Sequence, residues 1–119
     1  MQYILLIYES EAEWNSVGEA ERQKMFQQYM ELTQDMQKNG NYKIGHQLQP
    51  TSTATTVRER SGKKSVTDGP FAETREQLGG FYLVEAKDLD DALALASRIP
   101  SVRTGSIEVR PVVVREASS

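Results

Sequence analysis

The 119-residue sequence contains no cysteine. That absence excludes disulfides, thiolate nucleophiles, iron–sulfur clusters and cysteine zinc sites. It has one histidine, His46, and one imidazole without thiolates falls short of the usual zinc ligand set. Long hydrophobic runs are missing too. The apolar stretch Tyr3 to Tyr8 is six residues long, against the roughly 20 that a spanning helix needs. No basic leader or small-residue cleavage pattern accompanies it, so neither a signal peptide nor a membrane segment is expected, and a cytoplasmic protein is. An excess of positive charge is also lacking. Lys plus Arg is 14, Asp plus Glu is 17 and the net charge is −3, with no basic tail or stripe, so no direct nucleic-acid partner is expected. The glycines form neither a Walker loop nor a dinucleotide fingerprint, and no G-x-S-x-G element occurs. No cofactor or metal is expected.

What is present is a globular balance, 38% hydrophobic and 26% charged. The length fits one domain, expected over residues 1–115, with a frayed tail over 116–119. Both alternating sets of Tyr3 to Tyr8 are apolar, which predicts a strand buried on both faces. Ser16-Val17-Gly18-Glu19 has capping-box spacing and predicts a helix over 18–39. Its apolar stripe is Met25, Phe26, Tyr29, Leu32 or Thr33, and Met36, and Asn39-Gly40 ends it. A second strand is expected over 42–48. Residues 53–60 and 63–67, joined at Ser61-Gly62, read as a hairpin. Phe81 to Glu85 is another strand apolar on both faces. Asp88 is a helix N-cap, with Asp90 and Asp91 in the first turn, where the helix dipole accounts for them without a metal. Leu89, Ala92, Leu93 and Ala96 form the expected buried stripe, Pro100 closes the helix, and the last strand covers roughly 105–114.

The order is β-α-β, a small hairpin, then β-α-β, the ferredoxin-like split βαβ plan of an α+β fold. Its two central strands are the two that are apolar on both sides. Two helices cover only one face of such a sheet, and the other would expose more apolar surface than a soluble monomer usually shows. A second copy packed sheet to sheet covers it, giving a homodimer. Coverage by the inserted hairpin and loop of the same chain is the alternative.

Asp68-Gly69-Pro70-Phe71 places a carboxylate at the start of a turn. Asp bonds its own backbone two residues on, Gly frees φ and Pro fixes it, so Asp68 has a purely turn-shaping reading. The functional reading is a carboxylate at a strand end with Phe71 as an apolar wall. His46 has an imidazole suited to general acid or base work near neutral pH, or is a surface or subunit-contact residue. Arg110 sits among apolar residues, where a guanidinium can bind a carboxylate ligand in bidentate fashion or pair with Glu108, Glu85 or another subunit.

The stretch from Asp68 through Glu73-Thr74-Arg75-Glu76-Gln77-Leu78-Gly79-Gly80-Phe81-Tyr82 resembles the signature of the DGPF branch of the YCII-related proteins. Met1 to Tyr8 resembles that branch's opening strand, Thr53 to Arg58 its middle hairpin, and Ile107 to Pro111 its final strand. The resemblance implies a dimeric α+β barrel of ferredoxin-like protomers with a cleft near Asp68. It implies no established reaction, and some relatives are associated with extracytoplasmic-function sigma factors. In the YCII proteins proper, a His–Asp pair with an early histidine is the suspected active site, whereas residues 1–45 here contain none. Two functions follow as expectations. One is a small-molecule enzyme using Asp68 for acid/base chemistry with His46 or Arg110 assisting. The other is a non-catalytic ligand-binding or regulatory module linked to transcriptional control.

Overall fold

A computed structural model describes residues 1–115. The tail expected over 116–119 lies outside the described residues. The elements in chain order are β1 (Gln2–Glu9), α1 (Glu11–Trp14), α2 (Glu19–Lys38), β2 (Tyr42–Gln47), β3 (Thr55–Arg60), β4 (Lys63–Asp68), β5 (Gln77–Glu85), α3 (Leu89–Ser97) and β6 (Ser106–Pro111). Short 3-10 turns cover Thr51–Thr53 and Pro100–Arg103. The main sheet is four-stranded, in the order β2-β5-β1-β6, with antiparallel pairing throughout. This is the ferredoxin-like α+β arrangement, and β1 and β5 are its central strands as the apolar patterning requires.

One face of the sheet carries the core. Tyr3, Leu5, Ile7, Tyr82 and Val84 are buried there against Leu32 and Met36 of α2 and Ala92 and Ala96 of α3. Ile99, Pro100 and Ser101 close that core at the 3-10 turn, so Pro100 does stop α3 and then starts the next turn, where its fixed φ suits the first helical position. Two half-buried hydroxyl pairs lie at its edge. Thr33 Oγ1 lies 2.8 Å from the Tyr82 hydroxyl, and the Tyr29 hydroxyl bonds Ser101 Oγ. Burial pushes the Tyr29 phenol up to about 12, only partly offset by its bond to Ser101.

Several expectations are corrected. Ser16 does not cap α2. Gly18 occupies the N-cap with no side-chain bond, because a short helix intervenes: Ser10 caps α1 by accepting from the Glu13 amide, and the Ser16 hydroxyl donates to the Glu13 carbonyl. Phe26 is 65% exposed; the buried residues of α2 are Met25, Leu32 and Met36, the last two packed in the core against the sheet. On α3, Leu89 and Leu93 point outward while Ala92 and Ala96 are buried. The last strand ends at Pro111, before Val113.

The hairpin β3–β4 forms a separate two-stranded sheet. It makes no substantial packing contact with the main sheet or the helices, and all its residues except Thr56 are exposed. It therefore does not cover the second face of the main sheet.

Candidate functional site

The register defines that second face. Paired residues point to the same side of a sheet, so one row runs Ile44, Leu83, Ile4, Arg110 and the next runs His46, Phe81, Leu6, Glu108. Ile4, Leu6, Phe81 and Leu83 are only half-buried, and Ile44 is exposed. The centre of the face is apolar, and its polar groups lie at the two edges. His46 is on edge strand β2, where its ring lies 6.0 Å from that of Phe81. Arg110 and Glu108 are on the opposite edge strand, β6. The Tyr8 hydroxyl donates to Glu108 Oε1 at 3.4 Å. Its pKa is raised by desolvation and by the Glu108 carboxylate, against a lowering pull from Arg110.

The four residues singled out from sequence are not assembled within one chain. Three strand spacings, roughly 14 Å, separate the His46 and Arg110 strands. Asp68 is the last residue of β4, on the β3–β4 hairpin, hereafter the arm, opposite Thr55. Its carboxylate is exposed and accepts no hydrogen bond among the described residues. What shapes the turn after it is other chemistry: the Gly69 amide donates to the Ala54 carbonyl at 2.7 Å, and Gly69 takes a φ of 102° that only glycine tolerates readily. Phe71 is 75% exposed, and its carbonyl accepts from Arg58 at 2.7 Å. Arg110 has no ion-pair partner among the described residues. Asp88 accepts from the Asp91 amide at 2.9 Å as a helix cap, and Asp91 accepts from the Lys87 amide.

Two concavities among the described residues do not touch Asp68. A groove of about 330 Å³ on the outer side of α2 is lined by Phe26, Tyr29, Met30, Thr33 and Gln34. A smaller cleft of about 140 Å³ lies between Glu9, Ser10, Glu13, Trp14, Val17 and Thr104. Sequence reasoning missed this second cleft because it depends on α1. Arg22 stacks on Trp14 beside it, 5.1 Å from the ring centroid, and donates to the Trp14 carbonyl.

The base of the arm, by contrast, is firmly held. Both Glu11 carboxylate oxygens accept from Thr51, from its amide at 2.9 Å and its hydroxyl at 2.6 Å. The Glu11 amide donates to the Gln77 side chain, which in turn donates to the Thr74 carbonyl. Helix α1 thus pins the chain where it leaves for the arm and where it returns.

Over 116 residues the chain is 35% identical to the uncharacterized protein R00369 of Rhizobium meliloti (strain 1021), covering 96% of this chain and 94% of that one. Residues 1–116 match the YCII-related domain, and the chain belongs to that family.

Proposed function

We propose that this YCII-related protein, of the DGPF branch, is a cytoplasmic homodimer formed from a single domain over residues 1–115. Two copies meet through the open faces of their four-stranded sheets, with a small-molecule site near Asp68 used for acid/base chemistry. The observation that carries the reading is the apolar centre of that face, Ile4, Leu6, Phe81 and Leu83, only half-buried and with no described helix or hairpin strand packed substantially across it. An open apolar sheet face is ordinarily a contact surface, and a self-complementary one closes as an isologous pair. No described helix is long and apolar enough to cross a membrane. Asp68 supplies the carboxylate, Phe71 an apolar wall, and His46 and Arg110 the assisting groups. No nucleic acid or cofactor enters the reading.

A second reading, a ligand-binding or regulatory module without chemistry, is favoured by one observation: neither of the two concavities described above contains Asp68. A thermal-shift screen of small metabolites on wild type and Asp68→Asn tests the site. The expected result is a stabilising ligand whose shift disappears in Asp68→Asn while basal stability is kept. Ligand responses that all survive the substitution overturn the site. Turnover of the ligand found separates the enzyme from the binding module. Sedimentation at micromolar concentration giving only a 13.4 kDa species overturns the dimer.

A further inference from the structure

We infer that two copies of this chain meet about a two-fold axis that sets Arg110 of each against Glu108 of the other, so that these reciprocal ion pairs fix how the open sheet faces align. The pairing presupposes the dimer reading and adds the axis and the residues that enforce it.

Two rows cross the open face side by side. From β6 to β2 one runs Arg110, Ile4, Leu83, Ile44 and the other Glu108, Leu6, Phe81, His46. Each row has a charged residue on edge strand β6 and two half-buried apolar residues in the middle. The rows are two residues apart on every strand, about 7 Å. Both charged side chains are exposed, and neither has an ion-pair partner among the described residues. The Tyr8 hydroxyl donates to Glu108 Oε1 at 3.4 Å, which leaves Oε2 for a second donor.

One symmetry operation satisfies both kinds of residue. Sheets stacked face to face lie about 10 Å apart with their strands roughly aligned. A two-fold axis between the sheets, perpendicular to the strands and midway between the two rows, lays each row on the unlike row of the partner. Ile4 then faces the partner's Leu6, and Leu83 faces the partner's Phe81, so the apolar centres cover one another. The same operation sets Arg110 against the partner's Glu108 and Glu108 against the partner's Arg110, the reciprocity that an isologous contact requires. At the far end of the rows His46 faces the partner's Ile44. Sliding the axis onto the first row keeps the apolar overlap but brings Arg110 against the partner's Arg110, a like-charge contact that disfavours that alignment. The apolar residues supply adhesion, and the two charges select the register.

Charge also commits the occupant. Each chain carries a net charge of −3, so copies repel one another in general. The two facing rows are the exception, with one acid and one base between them. Opposite charges side by side on one edge strand are complementary to their own two-fold image. A guanidinium paired with one carboxylate keeps further N–H donors free, so Arg110 retains the capacity to assist at a ligand site between the copies.

Charge exchange provides the test. Glu108→Arg leaves two cations at this edge and Arg110→Glu leaves two anions, so each variant opposes like charges in its own homodimer. Sedimentation is expected to show the dimer dissociation constant raised at least about tenfold for either one. At a concentration where both variants are 13.4 kDa monomers, an equimolar mixture is expected to dimerise, because every contact in the mixed pair joins opposite charges. A pair formed only within one chain would give no such complementation. Both positions are exposed, where substitutions rarely disturb the fold, and the double exchange Glu108→Arg with Arg110→Glu is expected to dimerise by itself. Single variants as tightly dimeric as wild type, a mixture that stays monomeric, or a monomeric double exchange each overturn the pairing and leave the dimer standing. Wild-type protein that is monomeric at every concentration overturns the dimer and the pairing together.

Discussion

Gly45 lies directly beneath the ring of Tyr82: a Cβ placed on Gly45 would stand 2.6 Å from Tyr82 Cδ1, 3.0 Å from Cε1 and 3.2 Å from the Phe81 carbonyl oxygen. The ring cannot simply move away. Its hydroxyl is tied to Thr33 on α2, and its edge packs on Tyr42 with centroids 6.2 Å apart. Gly45→Ala therefore forces the β2 edge or the α2 contact to give. The expected cost is about 1–3 kcal/mol, the range for overpacking a filled core. Urea unfolding measures it, and a loss within experimental error of zero would show that β2 shifts freely.

The alkaline limb of stability depends on Tyr29. Its phenol is held up to about 12, against 10.0 for the free group. Below pH 10 it is protonated in both folded and unfolded chains and contributes no slope. Above pH 10 the unfolded chain loses the proton while the native chain keeps it, so stability falls until the pH passes about 12. A shift of that size corresponds to about 2–3 kcal/mol across the window. Urea midpoints from pH 8 to 12 should fall less steeply for Tyr29→Phe than for wild type. Parallel curves would refute the assignment.

These residues also show what the sequence made legible. Alternation in Tyr3–Tyr8 and Phe81–Glu85 located the central strands, because burial on both faces leaves a pattern that needs no tertiary knowledge. The helix stripes were legible only in part. A stripe tells which residues face inward, whereas the width of the surface beneath decides how many are covered. That is why Met25, Leu32 and Met36 are buried and Phe26 is not. Ser16 shows a local competition, since its hydroxyl was equally suited to closing α1 and did so. At the candidate site, Asp68 could be placed at a strand end, but the projection of the arm away from the body depends on contacts that no local pattern records.

Glu11 should control the base of the arm. Its carboxylate takes two bonds from Thr51, and its amide reaches Gln77 across the arm's other root. Glu11→Ala removes the charge-assisted pair, at a cost of about 1.5–3 kcal/mol for the bonds to a charged acceptor. The effect should be local. Hydrogen exchange is expected to quicken at the Thr51 and Ala54 amides, leaving those of β1 and β5 in the core unchanged. Uniform acceleration across the sheet would show that the latch is part of the global fold.

Asp68→Asn gives the last prediction its two halves. In the single chain the carboxylate is exposed and accepts no hydrogen bond among the described residues, and replacing such a surface group usually alters stability by no more than about 0.5 kcal/mol. At concentrations where only monomer is present, the urea midpoints of Asp68→Asn and wild type should coincide. In the proposed dimer Asp68 belongs to the small-molecule site, and stability acquires a dependence on concentration by mass action. A difference between the two proteins that grows with concentration is therefore expected. A constant difference at all concentrations would return Asp68 to the role of a turn-shaping residue within its own chain.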